Sequence, residues 1–179
     1  MAGAVMVVRT IRLALLLILL VVLQTTVFPH LRIAGVVPDL GLVAAVAIAV
    51  RYGPELGAGF GFAAGLASDV FLQTPLGLAA LAVGLTAYLV GAMQGSLARP
   101  AWWINPAVAF GAGIAAGLLF IGLGAVVGQE QLVAVHSLRI VVLAALYDGA
   151  IALAVFPLAI SAARPREILG VSAPRYGAS

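Results

Sequence analysis

The stretch 53–77, GPELGAGFGFAAGLASDVFLQTPLG, carries three glycines and one aspartate at four-residue intervals. These residues are Gly57, Gly61, Gly65 and Asp69. Residues four apart lie one above the other on a helix, so all of them fall along one face. In a membrane, small residues at this spacing let a second helix backbone approach closely. The pattern predicts a helix against which the other helices of the chain pack.

The composition excludes an ordinary soluble domain. Of the 179 residues, 64% are hydrophobic and 8% are charged, whereas soluble domains carry about 25% charged residues. The mean hydropathy is +1.23. Runs such as LALLLILLVVL at 13–23 are apolar on every face. Barrel strands would alternate apolar and polar residues, so the sequence predicts an all-α polytopic membrane protein.

Six membrane spans are predicted along the chain. Their bounds are 13–27, 39–50, 55–72, 76–97, 107–127 and 138–162. The second span is short for the about 20 residues that a crossing needs, and we interpret it as a half-buried hairpin partner of the third. Asp39, which follows Pro38, is its predicted N-cap. The spans form one domain at 1–163, and the basic tail at 164–179 is expected to be cytoplasmic and disordered.

The arginines predict the orientation of the bundle. The chain contains nine arginines and no lysine. With both termini in the cytoplasm, seven arginines lie inside and only Arg32 and Arg139 lie outside. Membrane proteins carry an excess of basic residues in their cytoplasmic loops, so this orientation is favoured.

Asp148, preceded by Tyr147, is predicted near the middle of the membrane in the sixth span. Intramembrane aspartates are costly and mark function or assembly. One interpretation is a proton or ion relay or a catalytic acid. The favoured interpretation is a carboxyl group that bridges helices, with Thr86, Tyr88 or the glycine face of the third span as its partner.

A second group of residues is predicted to serve helix packing or partner docking. Asp69 is expected near the outer end of the third span, where it can reach water and cap the turn at 73–75. The small residues of spans three and five would admit a transmembrane helix of a partner. The complete set is Gly57, Gly61, Gly65, Asp69, Pro75, Gly77, Gly113 and Gly117.

No constellation for catalysis, cofactor binding or metal binding is predicted. The chain lacks cysteine, and its two histidines, His30 and His136, fall in predicted outer loops. Without lysine there is no phosphate-binding loop, and no basic stripe indicates nucleic-acid binding. Tyr147 and Asp148 match the YD dipeptide of intramembrane aspartyl proteases, but the Gly-x-Gly-Asp signature of that group is absent. Proteolysis is therefore a weak alternative.

Three stretches together resemble the family of the rod shape-determining protein MreD. They are VPDLGL at 37–42, followed by RYG at 51–53; the glycine-rich segment 61–78 with its SDVF and TPLGL motifs; and 138–149, which ends in LYDG. Their order and spacing cover nearly the whole chain. Asp148 departs from the family pattern, in which the matching position is more often a neutral amide, so no family role is carried over to it.

The resemblance implies a non-enzymatic inner-membrane component of the bacterial cell-wall elongation machinery. Its implied partner is the bitopic membrane protein MreC, and through it the MreB filament and a glycan polymerase–transpeptidase pair. The resemblance also implies a six-helix fold similar to the substrate-binding subunits of energy-coupling-factor vitamin transporters. The sequence leaves open whether the chain forms homo-oligomers.

The shared helical architecture leaves a transporter subunit as the rival hypothesis. Such a subunit would need a polar pocket open to the outside, between the ends of spans one, three, five and six. The residues expected to line it are Asp69, Gln73, Glu130 and His136.

Overall fold

The computed structural model describes residues 2–27, 30, 35–71, 75–93, 103–129 and 135–164. Over these residues the chain forms six α-helices and no strand, which confirms the all-α prediction for this part of the chain. The helices are α1 (Ala2–Thr26), α2 (Leu40–Tyr52), α3 (Pro54–Asp69), α4 (Leu78–Ala92), α5 (Ile104–Val126) and α6 (Val135–Ala163). The predicted tail lies outside the described residues beyond Arg164.

Three of the helices are long and apolar enough to cross a membrane. They are the segments Met6–Thr26, Ile104–Val126 and Ser137–Ala163. The apolar helices α2 and α4 have 13 and 15 residues, which at 1.5 Å per residue is about 20 Å, less than the hydrocarbon core. The length and composition of these helices fit a membrane protein, and the number of complete crossings stays a prediction.

Several predicted helix bounds differ from those in the structure. The first helix begins at Ala2, eleven residues before the predicted start at 13, and α5 and α6 each begin three residues early. The predicted start at 13 followed Arg9 and Arg12, whereas the helix continues through both arginines and its apolar segment begins at Met6. The third helix ends at Asp69, before the predicted 72, and the Phe71 N–H then bonds to the Ser68 carbonyl.

The short helix α2 lies at the centre of the bundle. Its ten residues from Leu40 to Ala49 are all buried, and Val43 to Ala49 have no exposed surface. The other five helices all pack against it. The second predicted span, which corresponds to α2, was interpreted as half-buried. That was wrong, because several neighbouring helices cover α2 and not α3 alone. A helix enclosed in this way satisfies its backbone without facing lipid.

Two glycines make the sharp turns that fold α2, α3 and α4 into adjacent antiparallel helices. Gly53, between α2 and α3, has φ +102°, and Gly77, before α4, has φ +98°. Side chains with a Cβ rarely adopt these angles. At the same end as Gly53, the Tyr52 hydroxyl donates to the Ile160 carbonyl of α6 at 2.9 Å, which joins α2 to the end of α6.

The glycine face of α3 is filled by α2 and α4. A Cβ at Gly57 would collide with the Ala49 backbone of α2. At Gly61 it would lie 3.1 Å from the Ala45 Cβ and 3.2 Å from the Val83 carbonyl oxygen of α4. The face predicted from the sequence is therefore occupied inside the chain.

Gly65, the last glycine of this face, has the closest contact with α4. A Cβ there would lie 2.5 Å from the Ala80 Cα. Because these neighbours are backbone atoms, no room remains on this face for a partner helix.

Candidate functional site

The Asp69 carboxylate anchors the start of α4. Its Oδ2 accepts from the Gly77 N–H at 2.9 Å and from the Ala80 N–H at 3.2 Å, and its Oδ1 accepts from the Ala79 N–H at 3.0 Å. The first N–H groups of a helix have no partner within it, and a negative charge is stabilised there. Asp69 thus holds α3 and α4 together through the connection between them.

One prediction for Asp69, that it reaches water, was wrong. The side chain is only 1% exposed, so it does not reach water. Its described hydrogen bonds come from Gly77, Ala79 and Ala80, and its capping of the turn at 73–75 stays a prediction. Residues 72–74 lie outside the described part of the chain. The predicted docking residues Pro75 and Gly77 lie between Asp69 and α4.

Asp148 contacts the beginning of α2. Its Oδ1 accepts a hydrogen bond of 2.7 Å from the Asp39 backbone N–H. Asp39 is the N-cap of α2, as predicted, and its own Oδ1 accepts from the Leu42 N–H at 3.0 Å. Asp148 is 2% exposed, so this contact is buried.

The partners predicted for Asp148 were wrong. The Thr86 hydroxyl bonds to the Ala82 carbonyl of its own helix, and Tyr88 is 46% exposed. The glycine next to Asp148 belongs to α5: a Cβ at Gly113 would lie 3.0 Å from Asp148 Oδ2. The sequence predicted Asp39 as the N-cap of α2 but did not predict its contact with Asp148. The two residues are 109 positions apart and meet only in the tertiary fold.

The glycines of α5 pack against α6. At Gly113 a Cβ would also lie 2.9 Å from the Ala145 Cα, and at Gly117 it would lie 2.6 Å from a Val141 methyl group. Tyr147, next to Asp148 in sequence, is partly buried. These contacts bring α5 and α6 together beside Asp148.

A cavity of about 380 Å³ lies between the six described helices. Its polar side chains come from α1, the start of α2, α3 and α6; they are Gln24, Asp39, Ser68, Ser137 and Asp148. Its apolar walls come mainly from α4, α5 and α6 and include Val83, Phe120 and Ile140. The described residues enclose it only in part. This arrangement can receive an apolar segment that carries one polar group.

Of the four residues predicted to line a pocket, the structure tests only Asp69. Asp69 is absent from the lining of the cavity. Gln73 and Glu130 lie outside the described residues, and the His136 side chain does not belong to the described part of α6. Sequence reasoning missed Asp39, Ser68 and Ser137, although each falls at the predicted outer end of its span. That shared position was the available signal.

Within the described residues, no group of three or more His, Cys, Asp or Glu side chains could hold a metal ion. The polar side chains of the described lining are two carboxyl groups, two serine hydroxyls and one amide. The site is a cavity lined in part by the buried carboxyl group of Asp148. A cavity of this kind is suited to binding.

Comparison with known proteins gives one match. The family model described as rod shape-determining protein MreD matches residues 6–160. No curated protein and no solved structure matches the chain.

Proposed function

Because the chain belongs to the family of the rod shape-determining protein MreD, we propose that it is a non-enzymatic inner-membrane scaffold of the cell-wall elongation machinery. The family match supports a role in rod shape determination. The proposal adds the means: association with the bitopic protein MreC, and through it with MreB and the glycan polymerase–transpeptidase pair. The observation that carries this addition is the cavity beside Asp148.

The cavity replaces the glycine face of α3 as the proposed docking site. The glycine face is filled by α2 and α4. The cavity is a concave, largely apolar surface, which is the usual form of a binding site. We therefore propose that a membrane-proximal segment of the bitopic partner enters it.

In the proposed topology, all six helices lie in the membrane in an arrangement similar to the energy-coupling-factor substrate-binding subunits, with both termini in the cytoplasm. Four of the five described arginines lie at the bundle end opposite the cavity, in the first half of α1 or at the ends of α2 and α6; they are Arg9, Arg12, Arg51 and Arg164. Arg139 alone lies at the cavity end. The positive-inside rule then places the cavity at the outer surface.

Filling the cavity tests the docking proposal. Residues 137, 140, 141, 144 and 148 of α6 line the cavity and fall on one helix face. We expect Ala144→Phe to leave the bundle folded, because the ring enters existing space, and to lower the amount of MreC that co-purifies by about tenfold or more. The measurement is the ratio of partner to protein after affinity purification from membranes.

The matched control is Ala150→Phe. Ala150 lies on the same helix but is exposed on the outside of the bundle, so this change is expected to retain both folding and the partner. Full co-purification with folded Ala144→Phe would refute docking in the cavity.

Depletion tests the cellular role. Loss of the protein from rod-shaped cells is expected to produce rounded cells, seen by light microscopy, because elongation loses a component while division continues. Complementation with the unchanged chain should restore rods, and Ala144→Phe should not. A growth defect that one nutrient corrects, without a change of shape, would contradict the scaffold.

The cavity also favours a second candidate function, a solute-binding transporter subunit. Its volume of about 380 Å³ lies within the range of small-molecule sites. This candidate predicts that a small ligand stays bound through purification and is found by mass spectrometry of the denatured protein. It further predicts uptake that depends on an ATPase module.

A further inference from the structure

The described lining of the cavity carries acidic side chains and no basic ones. Among its described lining residues are the two carboxyl groups of Asp39 and Asp148, and no arginine or histidine. Asp39 is the N-cap of α2, and Asp148 belongs to α6. The two residues meet only in the folded chain, where the Asp39 N–H bonds to Asp148. The described lining therefore presents two carboxyl groups to whatever enters the cavity.

Asp148 has fewer hydrogen-bond donors than its burial requires. A carboxylate offers two oxygens with about four acceptor positions. Asp69, which is equally buried, uses both oxygens to accept three N–H groups. Asp148 accepts one, on Oδ1, and no described residue donates to its Oδ2. Both oxygens of the Asp69 carboxyl group thus accept from the chain itself, whereas Asp148 lines a cavity with one carboxyl oxygen that no described residue bonds.

We propose that the group that enters the cavity is cationic, an arginine or lysine side chain from the membrane-proximal segment of the bitopic partner. This inference rests on the proposed function, since it specifies the chemistry of the same docking site. A buried ion is stabilised when it meets an opposite charge and its remaining hydrogen-bonding positions are filled. The partner's cation supplies the donors that Asp148 Oδ2 lacks.

The walls of the cavity fit the rest of such a side chain. Phe120, Ile121 and Val141 line it together with Asp148. Lysine and arginine have aliphatic stems that pack on apolar surface while the charged end reaches a polar group. The apolar walls would therefore hold the stem, and the carboxyl groups would hold its end.

Neutral substitutions separate charge from structure. Asp148→Asn keeps an oxygen that accepts from the Asp39 N–H, and Asp39→Asn keeps a good N-cap. The double variant D39N/D148N should therefore fold, as judged by yield and thermal unfolding in detergent. We expect it to weaken binding of the partner about tenfold or more, because one side of a buried charge pair is lost.

Glu55→Gln is the matched control. Glu55 is an exposed carboxylate in the first turn of α3, at the bundle end away from the cavity. Its neutralisation removes one carboxyl group, as Asp148→Asn does, but should leave partner binding unchanged. Equal losses from Glu55→Gln and Asp148→Asn would overturn the proposal, since the effect would then be one of net charge.

The partner side is tested by replacing each basic residue of its membrane-proximal segment with glutamine. One of these changes should weaken binding as much as Asp148→Asn, and the two together should cost little more than either alone. Unchanged binding by folded D39N/D148N would refute the cationic group, while a loss with Ala144→Phe would still support docking. Retention of a free cationic solute that depends on Asp148, with all partner variants binding normally, would also overturn the proposal.

Discussion

Replacing Gly65 with leucine is expected to prevent the bundle from folding. A Cβ at this position lies 2.5 Å from the Ala80 Cα and 2.6 Å from the Ala79 carbonyl oxygen. These are backbone atoms of α4, so they cannot rotate away as a side chain would. Overpacking a core costs about 1–3 kcal/mol, and more when the surroundings are rigid. We expect little or no monodisperse protein on size exclusion in detergent.

Gly59→Leu is the control for Gly65→Leu. Gly59 is on the same helix, and a Cβ there meets nothing within 4 Å. Both variants lower backbone flexibility and add the same side chain, so a difference between them reports the contact with α4. Normal yield and thermal stability for Gly65→Leu would show that α3 and α4 are not packed as described.

The Gly65 result also bears on partner docking. Loss of the partner from this variant would follow from unfolding, so it cannot by itself locate a docking surface. If Gly65→Leu remained folded and lost only the partner, the glycine face would be the docking site and the cavity would not. The cavity variant Ala144→Phe avoids this ambiguity because it adds volume to existing space.

Asp69→Ala is expected to have the second-largest effect on folding. The change leaves the N–H groups of Gly77, Ala79 and Ala80 without their acceptor. An unsatisfied buried donor costs about 1–3 kcal/mol, and the site is 1% exposed, so water cannot readily replace the carboxylate. We expect a large fall in the thermal unfolding temperature, or loss of folded protein.

Asp69→Asn should give an intermediate result. Its amide retains one acceptor oxygen, whereas the NH₂ group cannot accept a bond from the start of α4. The control is Glu55→Ala on the same helix, where the side chain is exposed. If Asp69→Ala unfolded at the same temperature as Glu55→Ala, the carboxylate would not be the anchor of α4.

Much of the local structure could be predicted from the sequence. Uniformly apolar runs indicated helices, because only helices satisfy every backbone group within one membrane segment. The Pro38 and Asp39 pair marked the start of α2, since the side-chain oxygen of the cap bonds within the same turn. The helix ends were less accurate, because hydrophobic runs mark the membrane interior and a helix can continue beyond it.

The candidate site was predicted less well. The carboxyl groups of Asp69 and Asp148 were both recognised as unusual, but Asp69 was expected near water and is buried. Its partners lie 8 to 11 residues later and depend on how the turn folds. Asp148 finds its donor 109 residues earlier, and no spacing in the sequence indicates such a pair.

The sequence by itself determined a helical membrane protein, the glycine face of α3 and the family to which the chain belongs. These follow from composition, four-residue spacing and motif order, all of which are local along the chain. Only the tertiary structure decided that α2 is enclosed, that α2 and α4 fill the glycine face, and that Asp39 and Asp148 meet beside a cavity. The physical reason is that packing depends on which helices become neighbours, and that choice is made by the whole bundle.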